Sequence, residues 1–136
     1  MKKSGKQNII SAMCRQAGYA VCAAVTIHEC FHYAVAKICG ADPRFSIQKL
    51  TPSVSFKNRH NDLHNLLVAL AGPLPLVIIG FCLINRTNAH TTIFMLMCLT
   101  NVFNLIPVTA DGQVILLSII NMIKSRSKSR KIRFGS

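Results

Sequence analysis

The sequence predicts an all-α integral membrane protein with one short β-hairpin. Three observations support this fold class: hydrophobic residues make up 51% of the 136 residues, they concentrate in three long runs, and most Lys and Arg residues lie outside those runs. We therefore expect a core of three transmembrane helices, the third broken near Pro107 so that it can also be counted as two short spans.

The first transmembrane helix is predicted at residues 17–39. This largely apolar run exceeds the roughly 20 residues that a helix needs to cross the hydrocarbon core of a membrane, and the helix-ending residues Gly40 and Pro43 follow it. A basic start followed by an apolar run also fits a secretory signal peptide. We favour the membrane helix because the run continues past any plausible cleavage point.

A β-hairpin is predicted at residues 44–58. Apolar and polar residues alternate around Ile47 and again around Val54, and a period of two is typical of strands. Thr51 and Pro52 lie between the two alternating runs, so we expect them to separate the strands.

The second and third transmembrane helices are predicted at residues 63–84 and 92–123. Both runs contain helix-breaking or polar residues: Gly72, Pro73 and Pro75 in the second, and Asn104, Pro107, Asp111 and Gly112 in the third. We expect a kink in each, since proline removes a backbone donor and glycine permits unusual backbone angles. Residues 1–123 would form the membrane core, and residues 124–136 a basic tail.

The basic residues predict the orientation of the chain and its partners. Sixteen Lys and Arg against four acidic residues give a net charge of +12, which suits either nucleic acid or anionic lipid. No stretch alternates Lys or Arg with aromatic residues, so we expect contacts with membrane lipids and no nucleic-acid binding. Cytoplasmic loops carry the basic excess, and three spans with the hairpin and the C-terminus in the cytoplasm fit better than four.

His28, Glu29 and His32 form an H-E-x-x-H sequence in the first predicted helix. Residues four apart share one helix face, so both imidazoles can bind one metal ion, while the glutamate serves as the general base for peptide hydrolysis. The alternative is a pair of packed core histidines. Glu29 is the only glutamate in the chain, and a carboxylate inside a membrane costs about 3 kcal/mol, which favours a functional role.

Two other places in the sequence bear on the metal. His60 and His64 are also four residues apart, with Asp62 between them. They lie in a polar stretch where such residues are common and no base accompanies them, so this second site is the weaker candidate. Asp111 precedes a glycine, and from the residues alone a turn or a helix cap is the better interpretation of an Asp-Gly pair.

Three blocks of the sequence resemble the site-2 protease family of intramembrane zinc metalloproteases, in a minimal form without extra soluble domains. The blocks are H-E-C-F-H at residues 28–32, A-G-P-L at residues 71–74, and Asn104-Leu-Ile-Pro107 leading to Asp111-Gly112. The resemblance implies a core of three transmembrane helices, one zinc ion per chain with Asp111 as its third ligand, and Asn104 as a substrate contact. It also implies that the hairpin contacts the substrate and that substrates are membrane-spanning helices.

We therefore expect a multi-pass membrane endopeptidase, in a bacterial or archaeal plasma membrane, that cleaves a transmembrane protein substrate. The main alternative is a non-catalytic membrane protein, either an inactive protease relative or a metal-binding partner protein. A cationic membrane-active peptide or an immunity protein would leave the three blocks unexplained. The six cysteines include no C-x-x-C pair and are expected to be small buried residues.

Overall fold

The architecture comes from a computed structural model, which describes residues 3–48, 51–55, 61–86 and 88–134. The described chain is mostly helical, with one two-stranded antiparallel sheet. The elements in chain order are α1 (Lys3–Ile38), β1 (Arg44–Gln48), β2 (Thr51–Ser55), α2 (Asp62–Ala71), α3 (Pro73–Cys82), α4 (Ala89–Leu99), a 3₁₀ helix (Thr100–Leu105) and α5 (Ala110–Phe134). The predicted combination of apolar helices and one hairpin is confirmed.

Helix α1 ends where the sequence predicts. Gly40 has a φ of 71°, and its amide donates to the carbonyl of Lys37, while the amide of Ala41 donates to that of Ala36. A glycine in this left-handed conformation satisfies the last helical carbonyls and turns the chain. At its other end α1 begins earlier than predicted, at Lys3.

The hairpin forms, but the predicted boundary between its strands is wrong. Thr51 and Pro52 belong to β2, where they pair with Gln48 and Ile47 of β1. The amide of Val54 donates to a side chain of α1 and therefore faces away from β1. Because alternate residues of a strand face the same edge, the nitrogen of Pro52 also faces away, and its missing N–H costs the sheet no hydrogen bond.

The second apolar run is broken at Gly72, as predicted. Asn61 caps α2, its side chain accepting from the amides of Leu63 and His64, and α3 begins at Pro73. Proline is tolerated at the first helical position because that amide has no partner within the helix. Helices α2 and α3 are therefore separated by one residue, Gly72, and together they form one candidate span.

The third apolar run is also broken, between the 3₁₀ helix and α5. The two halves, Ala89–Leu105 and Ala110–Ser127, meet at an angle of 41°. Helix α5 then continues to Phe134, so the predicted basic tail from residue 124 extends a helix instead of beginning a separate segment.

Within the described residues, two helices are long and apolar enough to cross a membrane, Ile10–Ile38 and Asp62–Cys82, and the bent pair makes a third if it counts as one span. Helix α1 packs against α2 and α4, α2 against α5, and α3 against α4. Small side chains dominate the contacts, including Ala24 and Ala36 on α1, and small residues let membrane helices approach closely.

The prediction that the cysteines are buried is wrong for most of them. Cys98 is buried and Cys39 half-buried, whereas the remaining four are exposed, and all six are free thiols. Large apolar side chains such as Tyr19 and Ile38 are exposed on the same helices. A membrane-facing surface is as apolar as a core, so hydrophobicity alone does not distinguish the two environments.

Candidate metal centre

Three predicted ligands come together at the centre of the helical core. His28 and His32 lie on one face of α1, 8% and 7% exposed, and their Nε2 atoms are 3.0 Å apart. Asp111, from the first turn of α5, places its Oδ2 atom 3.1 Å from Nε2 of His28 and 3.4 Å from Nε2 of His32. Two segments 83 residues apart in the chain thus meet at one point.

The broken third run puts Asp111 in this position. Thr109 caps α5, its side-chain oxygen accepting from the amide of Gly112 and its carbonyl from that of Gln113. Asp111 is therefore not the cap that the Asp-Gly pair suggests. It lies within the first helical turn, where the helix dipole favours a negative charge.

Gly112 is required for a reason other than the predicted one. Among the described glycines, Gly40 has the positive φ, so Gly112 needs no unusual backbone angle. A Cβ atom at residue 112 would instead overlap the carbonyl group of Ile106 and lie 2.9 Å from the nitrogen of Pro107. The missing side chain lets α5 begin directly against the Ile106–Pro107 peptide, which brings Asp111 to the histidines.

The hydrogen bond at Nδ1 of each imidazole fixes the tautomer of that ring. Nδ1 of His28 lies 3.0 Å from Oδ1 of Asn101, and Nδ1 of His32 lies 2.7 Å from the carbonyl oxygen of Val68. Both partners are acceptors, so each Nδ1 must donate, and in the neutral imidazole each Nε2 then carries a lone pair. In the neutral forms, two such nitrogens and a carboxylate oxygen face one another, an arrangement that a bound metal ion, or a proton shared with Asp111, stabilises.

Asn101 belongs to the candidate site, and the sequence patterns did not predict it. Its Nδ2 donates to the carbonyl of Met97, and its Oδ1 accepts from Nδ2 of Asn104 as well as from His28. If the side-chain amide of Asn101 were flipped, its oxygen would face the carbonyl oxygen of Met97 and its nitrogen would face the Nδ2 donor of Asn104. The hydrogen-bond network therefore determines the orientation of this amide. The available signal was a second asparagine in an apolar run, three residues before Asn104.

The spacing of the three ligand atoms suits a tetrahedral metal ion. Zinc binds imidazole nitrogen and carboxylate oxygen at about 2.0–2.2 Å, which separates tetrahedral ligands by about 3.3–3.6 Å. The observed separations of 3.0, 3.1 and 3.4 Å are close to these values. Three protein ligands leave the fourth position open, as in catalytic zinc sites.

The A-G-P-L block supplies the space for such an ion. Gly72 lies at the break between α2 and α3, and a Cβ atom there would overlap Nε2 of His32 and lie 2.6 Å from Nε2 of His28. Any side chain would therefore enter the volume in front of the two lone pairs. The residues present fit a bound metal ion, since His28, His32 and Asp111 form a group able to hold one.

Glu29 and Asn104 line one cavity with His28, and each has a protein partner. The half-buried Glu29 accepts a hydrogen bond of 2.8 Å from the backbone amide of Val54 in β2. Asn104 donates to Asn101. Both residues line a cavity that also reaches His28, so the predicted base and the predicted substrate contact share one space.

Of the second candidate site, the structure describes Asp62 and His64. Asp62 accepts a hydrogen bond from the side-chain Nδ2 of Asn121 on α5. Among the described residues, the group of potential metal ligands is the one formed by His28, His32 and Asp111. His60 lies outside the described residues.

Comparison with known proteins adds no relative. The chain matches no family model, no curated protein and no solved structure.

Proposed function

We propose that this protein is an intramembrane zinc metalloprotease of the site-2 protease type. The observation that carries the proposal is the convergence of three lone-pair donors from α1 and α5, with both histidine tautomers fixed and Gly72 leaving room in front of them. Two histidines and one carboxylate with an open fourth position are a common catalytic zinc set.

A zinc ion held by these residues would polarise a water molecule and the peptide carbonyl that it attacks. Glu29 is the proton acceptor in this proposal. One of its oxygens accepts from the Val54 amide, and a carboxylate has further lone pairs to take a proton from water. The backbone of β2 thus orients the base, while Asn101 and Val68 orient the two imidazoles.

The membrane setting selects the class of substrate. We propose three spans, Ile10–Ile38, Asp62–Cys82 and the bent pair taken as one, with the hairpin and the C-terminus in the cytoplasm because both regions are rich in Lys and Arg. A site between membrane-spanning helices would meet the transmembrane segments of other proteins. The hairpin would hold such a segment in an extended form by strand pairing along the outer edge of β1, because on β2 Pro52 has no N–H and the Val54 N–H is bonded to Glu29.

A non-catalytic metal-binding protein is the second candidate, and the same three ligands support it. Metal binding requires His28, His32 and Asp111 and does not require Glu29, whose carboxylate is already bonded to Val54. Glu29 therefore separates the two functions.

The test is to purify the protein in detergent, measure the zinc bound per chain, and assay cleavage of a model transmembrane substrate. Glu29→Gln is nearly isosteric but cannot accept the proton, so we expect full zinc and a loss of turnover of about 10² to 10⁴-fold or more. Asp42→Asn, which removes an exposed loop carboxylate, is the control. Undiminished turnover in Glu29→Gln would refute Glu29 as the base, and bound zinc without cleavage by the wild type would favour the second candidate.

A further inference from the structure

A cavity of about 340 Å³ lies between α1 and the segment formed by α4 and the 3₁₀ helix. Its walls are two helical stripes, and their members are Val21, Ala24, Val25, His28 and Glu29 on α1, and Met97, Thr100, Asn101 and Asn104 opposite them. Residues spaced by three and four share one face of a helix, so the cavity follows both helix axes.

The two ends of the cavity differ in chemistry. Glu29, Asn104 and His28 make one end polar, whereas Val21, Ala24 and Met97 make the other end apolar. Four helical residues separate Glu29 from Val25, a rise of about 6 Å. A group bound at the polar end can therefore extend one side chain's length into the apolar end.

We infer that this cavity is a binding subsite for one bulky apolar side chain of the substrate, next to the peptide bond that Glu29 acts on. The inference rests on the proposed function, because Glu29 marks where the reacting carbonyl lies. The volume is ample, since an apolar cavity of about 150 Å³ already admits a benzene ring. Leucine and phenylalanine side chains are the occupants that fit this size and polarity.

Ala24 determines the depth of the subsite. It is 5% exposed and lies on the wall of the apolar end, so a larger residue there projects into the cavity. The hydrophobic effect contributes little to this choice, because lipid tails are as apolar as leucine. Selection by the subsite is therefore a matter of packing and exclusion, and it changes with the size of the residue at positions 24 and 97.

The experiment measures binding without turnover. Acetylated amino-acid hydroxamates with alanine, leucine or phenylalanine side chains bind a zinc ion through the hydroxamate and place the side chain beside it. We expect the leucine and phenylalanine compounds to bind the zinc-loaded protein about tenfold more tightly than the alanine compound. Ala24→Leu should abolish that preference and leave the alanine compound unaffected, whereas Met97→Ala should increase the preference for phenylalanine over leucine.

The matched control is Ala23→Leu, since Ala23 is exposed on the neighbouring face of α1 and does not line the cavity. It should bind all three compounds as the wild type does. Loss of the preference for large side chains in Ala24→Leu, together with a stronger preference for phenylalanine over leucine in Met97→Ala, supports the subsite. Equal binding of the three compounds in wild type and variants overturns the subsite while leaving the metal site intact. Absence of bound zinc and of any hydroxamate binding overturns the subsite together with the proposed function. Binding that depends on side-chain size, without peptide cleavage, supports the subsite and refutes only the catalysis.

Discussion

Replacement of Gly72 by alanine should remove the metal without disturbing the helices that carry its ligands. The new methyl group would overlap Nε2 of His32 and lie 2.6 Å from Nε2 of His28. Non-bonded carbon and nitrogen atoms separate to about 3.5 Å, and a zinc ion needs the same space at about 2.0–2.1 Å from both nitrogens. The methyl group and the metal cannot share this volume, so both imidazoles must move.

Loss of an outer partner of a metal ligand already weakens binding by about 10 to 100-fold, and a group that displaces the ligands themselves should exceed this range. We therefore expect zinc affinity to fall by at least about 100-fold in Gly72→Ala, measured by competition with a chelator and by zinc content after purification. Circular dichroism would show that the helices remain.

Gly18→Ala is the matched control because a Cβ atom at residue 18 of α1 meets nothing within 4 Å. It makes the same chemical change in a helix, where alanine is favoured by roughly 0.5–1 kcal/mol, and it should keep the full zinc content. Wild-type zinc affinity in Gly72→Ala would refute the placement of the metal in front of the two Nε2 atoms.

Three further predictions concern the groups around the ligands and the orientation of the chain. Asn101→Leu keeps the volume but removes the acceptor for Nδ1 of His28, so zinc affinity should fall about 10 to 100-fold, whereas Asn121→Leu on the exposed side of α5 should not change it. Val54→Pro removes the amide that holds Glu29 at an edge position that tolerates proline; cleavage should fall while zinc content stays, and unchanged cleavage would show that this hydrogen bond does not orient the base. Reporter fusions at Asn58 and Ser129 should locate both residues in the cytoplasm, and opposite locations would require four spans.

Local sequence patterns predicted the parts of the structure that depend on neighbouring residues. The pairing of His28 with His32 follows from a helical spacing of four, and the end of α1 follows from Gly40. The predicted strand boundary at Pro52 is wrong because proline interrupts a strand only where its missing N–H would have joined the ladder. The residue lies on the outer edge of β2, where it has no ladder bond to lose.

The remaining parts of the site depend on tertiary packing, which no local pattern encodes. The prediction of Asp111 as a metal ligand depended on the family resemblance, since the residues alone favoured a turn. The position of Asp111 depends on the contact of Gly112 with the Ile106–Pro107 peptide. Asn101, the hydrogen-bond partner of His28, and Val54, the partner of Glu29, come from separate segments of the chain. Such contacts form only when those segments pack together.

X-ray absorption of the zinc-loaded protein, compared between wild type and Asp111→Ala, tests the metal centre most directly. We predict one zinc ion with two imidazole nitrogens and carboxylate and water oxygens at about 2.0–2.2 Å in the wild type. Asp111→Ala should lower both zinc occupancy and cleavage, whereas Asp42→Ala and Asp62→Ala, which alter carboxylates outside the ligand group, should keep both. Full zinc occupancy, an unchanged absorption spectrum and full cleavage in Asp111→Ala would contradict the account and show that His28 and His32 bind the metal with a different third ligand.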